Sequence, residues 1–396
     1  MTRDVIVVGA SSAGLYAAIQ LARAGKRVAV FEQAQEINPA RRTLIVTPHL
    51  RQLLPSLPAN VILHHIRDLV LTSPGAETRV TLRDPDWIVE RRALILHLAE
   101  QARAAGVEIV TDRRFRALSP QGEAVQLEFQ NSARERIVET ADAVIAADGV
   151  FSDVALALGL RHPPSAPILQ AEIELPKNWD PAVTQVWFDT NETRFFYWLI
   201  PESAARAVVG LVGDARAQMK PLLQRFMARH GLLPLAYQGA RIAMYEPGLR
   251  VEARAGNARV LLLGDAAGQV KVTTVGGTVS GFLSAAAAAR ALVQNTAYAR
   301  TLRAVNGELK LHWRMRAGLD RFDNAAYDDL IRGVTPRVRE FLSAHNRDEM
   351  ADALWQLPLS EPRTALLLPR IVLQMLKPRA SRDAVITSAS DSVSSV

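Results

Sequence analysis

A chain of 396 residues exceeds what one simple hydrophobic core accommodates and suits two interleaved lobes. Hydrophobic residues make up 49% and charged residues 22%, a globular composition, and the absence of cysteine excludes disulfides, Cys-based zinc sites and a thiol nucleophile. The formal charge of +7 is mostly arginine, and no basic run is interleaved with aromatics as strand binding requires, so nucleic acid is set aside as a partner.

The segment DVIVVG (4–9) reads as a short buried strand, SAGLYAAIQLARA (12–24) as a helix and RVAVFE (27–32) as a second strand. The chain enters this β-α-β pattern at once and has no run of 18 apolar residues, so neither a secretory signal nor a membrane span is expected. A cytoplasmic location with at most peripheral membrane contact follows. Between strand and helix lies GASSAG: Gly9, Ala10, Ser11, Ser12, Ala13 and Gly14. Gly9 allows a tight turn, the middle residues let backbone approach a pyrophosphate, and Gly14 allows close helix packing. Glu32, followed by Gln33, ends the second strand, where a carboxylate accepts from ribose hydroxyls and repels a 2′-phosphate.

Residues 39–58 carry four prolines and the pair Arg41–Arg42, which predicts a loop-rich excursion. ERRALILHLAEQARAAG (90–106) is an amphipathic helix with a glycine stop. VEIV, AVQLEFQ and RERIVE read as separate strands, and DAVIAADG (142–149) as a buried strand ending at Asp148–Gly149. From 163 to 246, alternating β-rich runs around one helix, KPLLQRFMARHG, predict an antiparallel sheet. RVLLLGD returns to buried-strand character, and GDAAGQVKVTTVGG (264–277) then leads into an alanine-rich helix over 278–293. From 300 to 378 the pattern is helical, with an apolar segment at 363–377 that could touch a membrane, and the end is Ser-rich.

Three ordered segments, DVIVVGASSAG…FE, AADGVFSDV and VLLLGDAAGQVKVTTVGG, resemble the signatures of the FAD-dependent para-hydroxybenzoate hydroxylase-like fold. The resemblance implies a Rossmann-type α/β lobe with an inserted antiparallel β-sheet substrate lobe and a C-terminal helical region. The FAD-binding lobe would comprise 1–38, 88–160 and 255–300, the substrate lobe 39–87 and 161–254, the helical region 301–380 and a disordered tail 381–396. It implies that Gly9 to Gly14, Glu32 and Gln33 hold the ADP half, and that Asp148 and Gly149 lie near the pyrophosphate. Gly264 and Asp265 would take the ribityl chain, and Gly276 and Gly277 the pyrimidine edge. Arg91 matches the position where this fold carries a helix-start arginine that contacts the cofactor, and Arg42 is a further candidate. No metal is implied.

Within that fold GDAAGQVKVTTVGG is similar to the run GDAAGQVKPTTGGG of the geranylgeranyl reductase family, whose members saturate double bonds of prenyl chains. FYWLIP (196–201) resembles the family's aromatic-x-Trp-x-Phe-Pro strand, so Phe196, Trp198 and Thr274 are candidates for an apolar substrate channel. Archaeal members carry Pro-x-x-Tyr-x-Cys-Gly after the second strand; here PARRTLI puts Arg42, Leu44 and Ile45 at the Tyr, Cys and Gly positions. The implied function is reduction of C=C bonds in an apolar or lipid substrate, with electrons from NAD(P)H or a donor protein. Two alternatives stand beside it: an FAD monooxygenase, and a catalytically silent flavin- or lipid-binding protein. Tryptophan-type halogenation is disfavoured because no lysine lies between Lys26 and Lys177. No catalytic residue is singled out; His49, His64, His65 and Tyr197 are the candidates for a proton donor.

Overall fold

The computed structural model describes residues 3–214 and 218–350. Its first sheet is built on parallel strands in the order Ala258–Leu262, Arg136–Ala146, Arg3–Val8, Val28–Phe31 and Glu108–Val110. Helices Ser12–Arg23, Arg91–Ala104 and Thr278–Val293 cover one face. The hairpin Arg114–Gln121/Ala124–Gln130 covers the other, where Phe31 stacks on Phe129 at 4.5 Å. Burial on both faces explains why Val5–Val8, Val28–Phe31 and Val260–Leu262 read as unbroken apolar runs.

Register decides where the loops emerge. Val8 pairs with Phe31 and with Ala146, and Ala146 pairs with Leu262. The strands therefore end in one row, and Gly9, Glu32, Ala147 and Leu263 leave the sheet at the same edge. That edge is the carboxyl end of a parallel sheet, where ligands of such folds are held.

The second sheet has the order Pro234–Ala243, Ser165–Glu174, Arg206–Val212, Tyr197–Pro201, Val183–Trp187, Ile62–Ser73, Ala76–Glu90, Thr43–Val46. It is antiparallel except where Val183–Trp187 runs alongside Ile62–Ser73. Helix Met219–Arg229 packs on one face against Tyr197, Leu199 and Leu211. The opposite face carries Phe196, Trp198, Ile200, Ile66 and Ile88.

Two expectations need correction. Residues 39–58 are not all loop: Thr43–Val46 pairs with the end of Ala76–Glu90, and Leu50–Leu53 is a short helix. RERIVE and DAVIAADG do not form two strands but one, Arg136–Ala146, pairing first with Ala124–Gln130 and then with Arg3–Val8. Its two halves look different because their partners and burial differ. The long hairpin Ile62–Ser73/Ala76–Glu90 lies outside the strands read from the sequence. Its register slips twice, and it buries Asp68, whose carboxylate is satisfied by Thr81 and Arg67.

Beyond the alanine-rich helix come helices Tyr298–Thr301, Arg303–Leu319, Asn324–Arg332 and Pro336–Ala344. The apolar segment 363–377 and the Ser-rich end lie outside the described residues. Among the described residues no helix is long and apolar enough to cross a membrane.

Candidate functional site

Gly9 turns the chain out of the first strand with φ of +98°, and a Cβ there would stand 2.6 Å from the Ala147 carbonyl oxygen. Gly14 faces the same crowding: a Cβ would lie 2.5 Å from the Gly9 carbonyl oxygen and 2.9 Å from the Ala147 Cβ. The first and second loops are thus in contact. Ser11 caps the helix, its Oγ accepting from the Gly14 N–H at 3.1 Å, so its hydroxyl proton is still available to a ligand. Glu32 is anchored by two backbone donors, Ala10 N–H to Oε2 at 2.8 Å and Ala34 N–H to Oε1 at 3.0 Å. Each oxygen keeps a second lone pair. The third loop joins the other two where a Cβ on Gly264 would be 3.4 Å from the Ala13 Cβ.

Asp148 accepts from the Val154 N–H through Oδ2 at 3.2 Å, while its Oδ1 is buried with no partner among the described residues. Burial pushes its carboxyl above the ordinary carboxylate range, against the Ser152 hydrogen bond. Asp265 is open to solvent yet surrounded by protein, as a side chain projecting into a deep cleft is. Burial raises its pKa, and Arg42 and Arg91 pull it back down. Both guanidinium pKa values are lowered by burial. Glu90 does not neutralise Arg91: it caps the following helix, accepting from the Arg92 and Ala93 N–H groups at 3.1 and 2.8 Å. Arg91 reaches only the Ala40 carbonyl, at 3.4 Å, whereas Arg92 donates to the Pro39 carbonyl at 2.8 Å. Two arginines with spare donors and one carboxylate therefore line the cleft.

The loop from Gly268 to Gly277 leaves the first sheet, touches the second sheet at Val275 and returns to helix Thr278–Val293 on the first. Gly277 precedes helix Thr278–Val293, and a Cβ on it would stand 2.9 Å from Val270 Cγ2 and 3.8 Å from Asp265 Oδ1. Thr274 Oγ1 is buried without a partner among the described residues. Val275 packs against the cluster of Phe196, Trp198 and Ile200, joined there by Ile45. Trp198 pairs across the strands with Gly210, and its ring occupies the space where a Cβ on that glycine would be. Phe196 meets Trp198 edge-on at 6.0 Å. Ile45, at the glycine position of the resembled motif, sits in a paired strand, so this segment has none of that motif's freedom.

Val275 has φ of +49°, a left-handed conformation that a β-branched side chain adopts only under constraint. Replacing it by glycine removes that strain, whereas alanine keeps most of it, and both lose the same packing. Val275→Gly is therefore expected to be more stable than Val275→Ala by about 1 kcal/mol, read from urea unfolding midpoints.

Other residues at the site escaped sequence reasoning. Lys271 is buried and paired with Asp348, which also accepts from Thr47 Oγ1. Thr273 Oγ1 bonds His312 Nδ1, and His312 Nε2 lies 3.2 Å from Glu308 Oε1. The one available signal was a lysine flanked by Val270 and Val272. Its acidic partner lies far along the chain. The histidines proposed as proton donors are not drawn together: His64 Nε2 is 3.0 Å from the Pro181 carbonyl and His49 pairs with Glu349 at 3.0 Å. His65 faces Trp87, and Tyr197 stacks on Phe226 on the sheet face opposite Trp198.

Comparison with known proteins agrees with this geometry. Residues 63–295, more than half of the chain, match the family described as FAD dependent oxidoreductase, and residues 4–41 match an FAD binding domain. The chain is 31% identical over 299 residues to digeranylgeranylglycerophospholipid reductase 2 of Methanothermobacter thermautotrophicus, covering 70% of this chain and 74% of that one. It is 25% identical over 382 residues to digeranylgeranylglycerophospholipid reductase of Methanocaldococcus jannaschii, covering 89% and 90%. The fold is shared with a geranylgeranyl bacteriochlorophyll reductase-like protein of Thermoplasma acidophilum, at a TM-score of 0.78 and 19% identity over 93% of this chain and 99% of that one.

Proposed function

This chain belongs to the geranylgeranyl reductase family of FAD-dependent oxidoreductases, and on that premise we propose that it saturates C=C bonds in a prenyl or other isoprenoid chain. One observation carries the reading: the aligned strand ends gather the three glycine-bearing loops on one edge, and the third of them meets the apolar Phe196–Trp198–Ile200 face. The cleft suits FAD. Its backbone is bare where a Cβ would collide, and Asp148 Oδ1 and Thr274 Oγ1 are buried polar atoms awaiting partners.

In this reading Gly9, Ala10, Ser11, Ser12, Ala13 and Gly14 present N–H groups to the pyrophosphate at a helix N-terminus. Glu32 and Gln33 hold the ribose end, and Asp148 and Gly149 close the far side of the pyrophosphate. Gly264 and Asp265 take ribityl hydroxyls, and Arg42 and Arg91 neutralise anionic charge in the cleft. The N–H groups of Gly276 and Gly277, at the start of a long helix, lie at the pyrimidine edge. Residues 1–38, 88–160 and 255–300 then make the FAD lobe, and 39–87 and 161–254 the substrate lobe, each built mainly on one of the two sheets.

Bound FAD, once reduced by an external donor, supplies a hydride to one alkene carbon, and a proton completes the other. Phe196, Trp198, Ile200, Ile45 and Val275 orient the prenyl chain face-on and keep water away from it. Thr274 offers the one hydroxyl on the loop without a partner among the described residues.

Asp265 gives FAD binding a pH dependence. Its carboxyl titrates above the ordinary range through burial, and only the ionised form accepts freely from a hydroxyl. FAD affinity should therefore fall as pH drops through a window that opens above the usual carboxylate pKa. Asp265→Asn should bind FAD roughly tenfold to a hundredfold more weakly at neutral pH and lose that dependence, measured by fluorescence titration. The function itself is tested anaerobically. Photoreduced holoenzyme mixed with a geranylgeranyl lipid should return to the oxidised spectrum with loss of an alkene by mass spectrometry. Inertness toward the lipid, with substrate-stimulated oxygen uptake and a hydroxylated product in air, would replace the reductase reading with a monooxygenase.

A further inference from the structure

The ammonium of Lys271 has no part in the chemistry above, yet it lies directly behind the loop proposed to meet the pyrimidine edge. The side chain is 5% exposed, and its Nζ pairs with Asp348 and donates to the Arg347 carbonyl at 3.4 Å. Its backbone N–H donates to the Gly276 carbonyl at 3.1 Å, closing an isolated antiparallel bridge. The stem then runs beneath Gly276, with Cε 3.5 Å and Nζ 3.8 Å from where a Cβ on that glycine would stand. Thr274 Oγ1 is nearer still, at 3.4 Å.

Holding the loop in place does not require a charge here. Ser280 Oγ donates to the Gln269 carbonyl at 2.6 Å, Gln269 Oε1 accepts from the Gly264 N–H at 2.8 Å, and Thr273 bonds His312. Apolar side chains of similar volume at both 271 and 348 would fill the space without the cost of burying two ions. Burial pushes the Lys271 pKa down, and Asp348 opposes it. The nearest fixed field has the same sign, because helix Thr278–Val293 starts at Gly277 and places its positive end there. The positive end of the Lys271–Asp348 pair and the positive end of the helix both lie against one short piece of backbone, an arrangement that suits an anion on its other side.

We propose that Lys271 is a positioning residue for the cofactor's charge: acting through the Gly276–Gly277 backbone, it favours the anionic two-electron-reduced form of FAD over the neutral oxidised form. The proposal rests on the placement of FAD described above. Favouring the reduced form raises the midpoint potential of the bound flavin, which makes reduction by the external donor easier and leaves hydride transfer to be driven by alignment with the alkene.

The test measures binding of both redox forms. Oxidised FAD is titrated into wild-type apoprotein and Lys271→Met, and the midpoint potential of each holoprotein is recorded against a reference dye. Preference for reduced over oxidised FAD should fall about tenfold in Lys271→Met, equivalent to about 30 mV for a two-electron couple. Lys271→Arg, which keeps the charge, should restore it. Should Lys271→Met not fold, the paired change Lys271→Met with Asp348→Leu removes both charges at conserved volume, and a loss of more than threefold is expected. A preference within threefold of wild type in the folded variant, with both redox forms weakened alike, overturns the proposal and leaves Lys271 a structural tether. Wild-type protein that binds no FAD would instead overturn the placement of the cofactor itself, and the proposal with it.

Discussion

Gly9→Ala is expected to yield protein that keeps its folded core and does not retain FAD. The added methyl would meet the Ala147 carbonyl oxygen at 2.6 Å, and φ of +98° is a conformation alanine rarely adopts. Relief requires the 9–14 turn to move away from Ala147, which misaligns the N–H groups proposed to face the pyrophosphate. Strain of this kind costs about 1–3 kcal/mol, so affinity should weaken by up to about a hundredfold, read by absorbance of the purified protein and by titration. Gly25→Ala is the control. Gly25 also has positive φ, +80°, but nothing lies within 4 Å of a Cβ there, and it sits at the far end of the first helix. That variant should lose some stability and keep its FAD.

Trp198→Ala should be the most destabilising single change at the site. The ring is 6% exposed, packs edge-on to Phe196 and fills the hollow over Gly210, so its removal leaves a cavity that the sheet cannot close. A loss of about 3–5 kcal/mol is expected in denaturant unfolding. Leu199→Ala separates stability from function, because Leu199 points to the opposite face, toward helix Met219–Arg229. It should destabilise by about 2–5 kcal/mol yet leave KM for a prenyl substrate unchanged, whereas Trp198→Ala should raise KM as well. Equal KM effects from the two would remove Trp198 from the substrate wall.

Much of the cofactor lobe is legible in the order of its residues. The runs VIVV, VAVF and VLLL are short, apolar throughout and closed by glycine or acid, the local marks of parallel strands under helices. The loops that follow carry their chemistry within a few residues, as in GASSAG and GDAAG. Arg91 was marked by the resemblance alone, and only the structure shows that the carboxylate of Glu90 before it is occupied as a helix cap. The hairpin Ile62–Ser73/Ala76–Glu90 was not legible, since slipped register and a buried aspartate scramble the alternation that marks a strand.

What the amino-acid order determined by itself is whatever needs only neighbours: strand and helix starts, turns that admit no Cβ, and a carboxylate at a strand end. Tertiary structure decided which loops meet, because Val8, Phe31, Ala146 and Leu262 share a row only through inter-strand register. It also decided the charges behind the Gly268–Gly277 loop: Lys271 finds Asp348 77 residues away, and Asp348 finds Thr47 301 residues away. The left-handed backbone of Val275 belongs to the same class. The physical reason is common to all three. Burial, pairing of a desolvated ion and a strained φ are each unfavourable locally and persist only because distant segments, packed together, leave the chain no cheaper arrangement.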